Sequence, residues 1–315
     1  MFPDRRQRSF LDPGVLSRLA GFPLFARRPM LGTVSGRHPS PHRGSSVEFA
    51  EYRKYVPGDD LRRLDWRAYG RSDRFYLKEF EADTNLRCCI VLDTSGSMDF
   101  ASSSGKHGAG TTKIEYARKL AGALSYLAVQ QGDAVGLYCV ADGLIKNIPP
   151  RRNPAHLMHV FDVLEQARPA GQTQLVPVLH ELAETVDQRA LIVIISDLFV
   201  ELSPLRRCFE HLRFRKHDVA AFHLLDRREL RFDFHRPMRF LDMEGGPSIF
   251  AEPNDIADRY HKAIGAYLND LRALTLELAI DYHRLSLDED YEKALMRFLI
   301  GRTRRAPCTH GRGLR

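Results

Sequence analysis

Short apolar runs separated by amphipathic stretches make up the hydrophobic pattern of this 315-residue chain. Residues 88–92 and 190–195 are apolar throughout, which is typical of strands that are covered on both faces of a sheet. Elsewhere apolar residues recur at intervals of three and four, which predicts helices over residues 114–128, 154–167, 174–186, 203–214 and 254–276. The alternation of buried strands and helices predicts an α/β fold with a doubly wound, mostly parallel sheet.

Shorter patterns complete this prediction. Residues 133–140 and 144–148 form a hairpin pattern around Asp142-Gly143, so one edge strand of the sheet should be antiparallel. Further strand patterns lie at residues 218–224, 238–243 and 281–287. Ser286 and Glu289 have the spacing of a capping box, which predicts a last helix that ends near residue 300.

Composition divides the chain into four parts. They are an N-terminal arm (1–34), a charged irregular segment (35–85), the α/β domain with its C-terminal helices (86–301) and a basic tail (302–315). In the arm, residues 15–20 have the pattern of a short helix packed on the surface. In the irregular segment, acidic and basic residues interleave, which is typical of an ion-pair network. A short helix is predicted there at residues 61–68 and an edge strand at residues 75–81.

The net charge of +7 lies in the two ends of the chain. Residues 1–30 carry six Arg and two Asp, and residues 302–315 carry five Arg and no acidic residue. The remaining chain is therefore close to neutral, which disfavours nucleic-acid binding by the folded body.

Cysteine usage and hydrophobic run length indicate the compartment. The five cysteines show no Cys-x-x-Cys spacing, which is typical of free thiols in a reducing environment. No apolar run approaches the ~20 residues of a membrane span. Asp12, Pro13 and Pro23 interrupt the N-terminal apolar stretch, so no secretory signal is predicted. We therefore expect a cytoplasmic protein.

Polar side chains follow both buried strands at the point where each strand ends. Asp93, Ser95 and Ser97 come directly after the first strand, Asp197 ends the second, and Thr173 lies on a loop before a predicted helix. Carboxyl ends of parallel strands meet at one edge of a sheet, where ligands bind. One carboxylate with neutral oxygens suits a hard divalent cation, Mg²⁺ or alternatively Mn²⁺. The other interpretation is that these side chains only cap the backbone of strand-to-helix turns.

The order Asp-x-Ser-x-Ser, then a distant Thr, then a distant Asp resembles the metal-ion-dependent adhesion site of the von Willebrand factor type A family. The matching residues are Asp93, Ser95, Ser97, Thr173 and Asp197. The resemblance implies a type A-like fold in which the first four residues hold one Mg²⁺ and Asp197 orients a water bound to the ion. It also implies one open position, which a Glu or Asp of a protein partner fills.

A second motif set precedes this domain. It consists of Gly36, Ser40, Gly44, Glu48, Phe49, Tyr55, Pro57, Gly58, Asp59, Asp60, Arg62, Asp65 and Trp66. Followed by a type A-like domain, this set resembles the bacterial family called domain of unknown function fifty-eight, and the likeness runs from about residue 36 to residue 301. Members of that family are typically encoded beside AAA+ ATPases of the MoxR group. The resemblance therefore implies such an ATPase as a partner in chaperone-like assembly, and no known catalytic activity.

Two other classes of function stay open from the sequence. The first is a Mg²⁺-dependent phosphoester hydrolase, although no His or Lys lies beside the Asp-x-Ser-x-Ser loop as a general base. The second is nucleic-acid binding through the Arg-rich ends, which predicts steep salt dependence. His180-Glu181-Leu-Ala-Glu184 lacks the second His of a zinc protease, and residues 105–113 lack the spacing of a phosphate-binding loop. The sequence thus favours a non-enzymatic, metal-ion-dependent interaction module.

Overall fold

The computed structural model describes residues 8–24, 49–54, 76–80, 86–101, 110–234 and 236–305. The helices of this part are α1 (Pro13–Leu19), α2 (Lys113–Gln130), α3 (Pro154–Gln166), α4 (Leu175–Thr185), α5 (Leu202–Phe214), α6 (Arg227–Arg231), α7 (Pro253–Glu277) and α8 (Tyr291–Arg305). Its strands are β1 (Phe49–Lys54), β2 (Tyr76–Phe80), β3 (Arg87–Asp93), β4 (Ala134–Val140), β5 (Leu144–Arg151), β6 (Leu191–Ser196), β7 (Asp218–Leu225), β8 (Met238–Phe240), β9 (Ile249–Ala251) and β10 (Asp281–Ser286). One turn of 3-10 helix, Gly96–Asp99, follows β3.

The central sheet has six strands in the order β10-β7-β6-β3-β4-β5. Neighbouring strands are parallel except β4 and β5, which pair antiparallel across the predicted hairpin. The predicted fold class, an α/β fold with a mostly parallel sheet and one antiparallel edge strand, is confirmed. The chain runs from β3 to β4 and later returns to β6 on the other side of β3. The carboxyl ends of β3 and β6 therefore flank the switch point, where open α/β sheets bind ligands.

Both central strands are buried as their apolar runs predict. Alternate residues of β3 point to opposite faces, so Cys88, Ile90 and Leu92 belong to one core layer and Cys89 and Val91 to the other. Helices α1, α2, α3 and α8 contribute to the first layer, and α4, α5 and α7 contribute to the second. The sheet is covered on both faces, which fixes the positions of its strand ends.

Two predicted strands lie outside the central sheet. The pattern at residues 238–243 predicts a strand of the main alternation, but β8 instead pairs antiparallel with β9 in a separate hairpin. The three residues of β8 stay partly exposed, so β8 offers no apolar run to bury between two helix layers. The strand predicted at residues 75–81 is present as β2, and it pairs with β1 in another two-stranded sheet.

The last helix differs from its prediction at both ends. It begins at Tyr291, and Asp290 rather than Ser286 receives the N-terminal hydrogen bond, from the backbone N–H of Glu292 at 2.9 Å. It continues to Arg305 and so places Arg302, the first residue of the predicted basic tail, inside the fold. Arg302 stays helical and buried because its guanidinium donates to the buried Asp218 at 2.7 Å.

Several predictions fall outside the described residues. They are the helix at residues 61–68, the end of the tail at residues 306–315, and most of the motif set between residues 36 and 66, of which only residues 49–54 are described. Of the loop that follows the predicted cation site, residues 102–109 are also outside the described part. Within the part of the chain that is described, we find no helix with the length and apolar character of a membrane span.

A buried histidine between β6 and β7 makes the fold sensitive to acid. His217 is 1% exposed, and its Nδ1 accepts a hydrogen bond from the backbone N–H of Ala190 at 3.2 Å. Burial, and then the nearby positive charges of Arg215 and Arg189, together lower the pKa of His217 to about 4. The folded state therefore holds His217 neutral at a pH where the unfolded chain, with a pKa near 6.5, already binds a proton.

We expect this histidine to stabilise the protein fully above about pH 6.5 and progressively less as the pH falls toward 4. Each pH unit in that window lowers the free energy of unfolding by up to about 1.4 kcal/mol. The His217→Asn variant keeps an acceptor for Ala190 but cannot take up the proton. Urea unfolding at pH 7 and pH 5 should therefore show a smaller difference for the variant. An unchanged difference would show that His217 does not cause the acid sensitivity.

Candidate functional site

The turn after β3 places the first predicted site residues. Asp93 is 1% exposed at the end of the strand, and its Oδ1 accepts the backbone N–H of Ser95 at 2.9 Å. Thr94 anchors the turn to β4, because its backbone N–H and its Oγ1 donate to the carbonyl of Val140 at 2.7 and 3.0 Å. The hydroxyl oxygens of Ser95 and Ser97 lie 3.1 Å apart. The strand end and the 3-10 turn thus direct a carboxylate and two hydroxyls into one small region.

The loop before α4 brings Thr173 to the same place. Its Oγ1 donates to Asp93 Oδ2 at 3.5 Å. The loop is bonded to the β3 turn, where the backbone N–H of Gly96 donates to the carbonyl of Gly171 at 2.9 Å. It is also bonded to the β4–β5 hairpin, where Asp142 Oδ1 accepts the backbone N–H of Gln172 at 2.6 Å. These contacts hold Thr173 beside Asp93.

Gly171 allows this close approach. Its φ of +74° lies in the left-handed region, and a Cβ at this position would overlap the Asp142 carboxylate. A glycine is therefore needed two residues before Thr173, because any side chain would separate the loop from the hairpin.

The end of β6 adds Ser196 and Asp197. Ser196 Oγ donates to Asp93 Oδ2 at 2.6 Å, so β6 is bonded directly to the site carboxylate. The next residue, Asp197, is 3% exposed and accepts from Lys113 Nζ at 2.8 Å. The same ammonium group donates to Glu229 at 2.7 Å. Asp197 thus lies beside the site, and Lys113 is paired with both Asp197 and Glu229.

The pKa values of Asp93 and Lys113 both lie above their usual values, for different reasons. Burial, and then the negative charge of Asp197, together raise the pKa of Asp93 to about 6. Hydrogen bonds from Ser196 and Ser95 act in the opposite direction. For Lys113, burial lowers the pKa, but the charges and hydrogen bonds of Asp197 and Glu229 outweigh it, so the pKa lies above its usual value. Lys113 is therefore a fixed cation.

Four of the five predicted site residues form one cluster: Asp93, Ser95, Ser97 and Thr173. The fifth, Asp197, adjoins it through Ser196 and bonds to Lys113. Sequence reasoning missed Ser196, although it directly precedes Asp197 at the strand end. It also missed Lys113 and Glu229, because their distance along the chain gives no sign that they meet at Asp197.

The donor set fits a hard divalent cation. It offers one carboxylate and three hydroxyls, and Mg²⁺ accepts few charged ligands and keeps several waters. Among the described residues no Lys or Arg forms an ion pair with Asp93, so this buried carboxylate has no positive partner there. A cation would supply that charge. Also within the described part, no three His, Cys, Asp or Glu side chains gather to hold a metal, so the site depends on hydroxyl oxygens.

Comparisons with known proteins identify relatives of this chain. It matches the family described as "Protein of unknown function DUF58" over residues 51–265, which include every residue of the candidate site. An uncharacterized protein of Mycobacterium tuberculosis is 25% identical over 306 residues, which make up 95% of this chain and 93% of that protein. The predicted family is thus confirmed.

Solved structures that are similar to this chain include the following two. The conserved hypothetical protein BatB from Bacteroides thetaiotaomicron is 17% identical, with a TM-score of 0.42, over 70% of this chain and 100% of that chain. The SpRpn10 VWA domain is 10% identical, with a TM-score of 0.39, over 72% of this chain and 100% of that chain.

Proposed function

This chain belongs to the DUF58 family of proteins of unknown function, and we propose that it is a metal-ion-dependent protein-interaction module. One Mg²⁺, or Mn²⁺ in its place, would be held by Asp93, Ser95, Ser97 and Thr173. The partner would supply an acidic side chain to the same site. A MoxR-type AAA+ ATPase in chaperone-like assembly is the partner that the family resemblance implies.

One observation carries this proposal. Three hydroxyl side chains from two separate loops, Ser95, Ser97 and Thr173, converge with the buried carboxylate of Asp93 at the switch point of the sheet. Capping alone explains this arrangement less well. The Ser95 and Ser97 hydroxyls bond to each other, and neither the 3-10 turn nor α4 has a side-chain cap hydrogen bond. The Ser95 and Ser97 hydroxyls therefore do not cap a helix, and both are available to a ligand.

Charge explains why the partner should be acidic. A divalent cation with one carboxylate ligand retains positive charge, and the second carboxylate, Asp197, is paired with Lys113 at 2.8 Å rather than with the ion. An incoming Glu or Asp is therefore attracted and can bind the ion directly. Asp197 would orient a water bound to the ion, while Lys113 holds its carboxylate in place. When bound, the cation would link the two proteins.

The basic groups near the site argue against hydrolysis. Lys113 is held protonated between two carboxylates and cannot accept a proton from water. His223, on the neighbouring strand β7, bonds to the hydroxyl of Tyr282 at 2.7 Å and lies beside Asp197. Burial lowers the pKa of His223 to about 4, although the charge of Asp197 and a hydrogen bond to its backbone act in the opposite direction. A general base works best with a pKa near the operating pH, so His223 is a weak base at neutral pH. The described residues thus favour binding over catalysis.

Asp93→Asn tests the proposal, because asparagine keeps an acceptor for Ser95 but loses the charge. By isothermal titration calorimetry, we expect wild type to bind Mg²⁺ and the variant to bind at least about 100-fold more weakly, a loss of about 2.7 kcal/mol. At a free Mg²⁺ concentration tenfold above the dissociation constant, wild type should gain about 1.4 kcal/mol of stability. Asp99→Asn, at an exposed position in the same 3-10 turn, is the matched control.

Capture of the purified MoxR-type ATPase of the same genome extends this test to the partner. We expect capture by wild type and by Asp99→Asn in Mg²⁺, and none in chelator or with Asp93→Asn. If Asp93→Asn captures the ATPase at wild-type affinity with the metal chelated, the metal-dependent mechanism is wrong.

A further inference from the structure

The segment that joins β8 to β9, residues 241–248, lies against the candidate site. A Cβ on Gly96, the residue between Ser95 and Ser97, would overlap the carbonyl oxygen of Met243. Only a glycine fits there without moving the segment. Residues 241–248 therefore pack directly on the turn that carries the site hydroxyls.

Glu244 of this segment reaches Thr173. The backbone N–H of Thr173 donates to Glu244 Oε2 at 3.1 Å, while the hydroxyl of the same threonine donates to Asp93 Oδ2 at 3.5 Å. One threonine thus binds two carboxylates. Within the described part of the chain, neither carboxylate forms an ion pair with a Lys, Arg or His side chain.

The local backbone aims Glu244 at the site. Its N–H donates to Asp242 Oδ1 at 2.8 Å, and Gly245 follows with a φ of +89°, a conformation that glycine adopts without strain. This turn leaves Glu244 half-buried, whereas Leu241 and Met243 are exposed. The sequence of the segment therefore selects the carboxylate, rather than the apolar side chains, for contact with Thr173.

Few other contacts fix this hairpin. Ile249 and Phe250 are 62% and 75% exposed, and β8 and β9 pair only with each other in the described structure. Phe240 anchors the start of the hairpin, since it stacks on Phe232 with 5.7 Å between ring centroids and meets Phe234 edge-on at 5.4 Å. The position of residues 241–248 consequently depends strongly on their contacts at Gly96 and Thr173.

We propose that Glu244 is an acidic ligand which this chain supplies to its own cation site. The inference rests on the proposed function and deepens it. Two carboxylates bonded to one threonine repel each other, and a cation bound between them would replace that repulsion with attraction. Cation binding would then hold residues 241–248 against the site. A partner's Glu or Asp must displace Glu244 to reach the ion, so hairpin position and partner binding are coupled.

Hydrogen exchange of the full-length protein, with Mg²⁺ alone as the probe and chelator as the reference, tests this assignment. In wild type we expect Mg²⁺ to slow amide exchange in residues 241–248 by about tenfold or more. Glu244→Gln should lose this slowing, and its Mg²⁺ affinity by calorimetry should fall by about tenfold. Glu252→Gln is the matched control, because Glu252 lies just after β9, is exposed and makes no side-chain cap hydrogen bond. It should behave as wild type.

The outcomes separate the two proposals. If Mg²⁺ binds with Asp93 dependence but exchange in residues 241–248 is the same in wild type and Glu244→Gln, the role of Glu244 is wrong and the proposed function stands. Faster exchange of the segment in Mg²⁺ would also overturn the assignment, since it would mean that the ion releases the hairpin. If no Asp93-dependent Mg²⁺ binding is measured, both proposals fail.

Discussion

Replacing Lys113 by methionine should lower the free energy of unfolding by about 3 to 5 kcal/mol. The Lys113 side chain is 1% exposed, and its ammonium group donates to both Asp197 and Glu229. It also lies 5.4 Å from the ring centroid of Phe199 and 5.7 Å from that of Phe100. Methionine fills much of the same volume, so the loss would come mainly from the buried Asp197 and the partly buried Glu229, which would be left without a cation.

Urea unfolding of the variant and two controls would measure this effect. Lys119→Met lies on the same helix, where the ammonium group is 6.0 Å from the Tyr291 ring, and should cost less than about 1 kcal/mol. Lys113→Met combined with Asp197→Asn should recover part of the loss, because one unpaired charge is removed. A loss below about 1 kcal/mol for Lys113→Met would show that the carboxylates find water or protons instead.

The second large effect is expected at Arg302, where substitution by methionine should also cost about 3 to 5 kcal/mol. Its fully buried guanidinium donates to Asp218 Oδ2 at 2.7 Å and lies 3.3 Å from Asp281 Oδ2. These acids begin β7 and β10, so one side chain of α8 joins two neighbouring strands. His283 Nε2 also lies 3.1 Å from Asp281.

Arg297 offers the matched comparison on the same helix. Its side chain is 57% exposed and pairs with Glu289, so Arg297→Met should change stability by less than about 1 kcal/mol. Truncation of the chain after residue 301 should have the same effect as Arg302→Met, or a larger one. If Arg302→Met unfolds at the urea concentration of Arg297→Met, the buried pair does not stabilise α8.

The sequence carried most of the information on the sheet and part of the information on the site. The apolar runs at residues 88–92 and 190–195 predicted β3 and β6, because a run this short that is apolar at every position is typical of a strand covered on both faces. The same pattern showed where each strand ends, and so which oxygens share an edge. Asp93, Ser95, Ser97 and Thr173 could therefore be grouped before their distances were known. The cation they would hold stays a prediction.

Contacts between segments that are distant along the chain had no corresponding pattern in the sequence. Arg302 followed the last predicted helix in a run of arginines, and nothing nearby distinguished it from solvent-exposed neighbours. Its burial depends on Asp218 and Asp281, which are separated from it along the chain. The hairpin of β8 and β9 was missed for a related reason: strands of three residues have too short a pattern to show a period.

The local order of apolar and polar residues by itself determined the α/β fold, the central strands and the oxygen-bearing loops at their ends, since these depend on neighbours along the chain. Only the tertiary structure decided that Lys113 pairs with Asp197 and that Glu244 bonds to Thr173. Both are pairings of single charged side chains across the fold. A charged residue has the same local pattern whether its partner is water or a distant side chain, so its partner is set by packing.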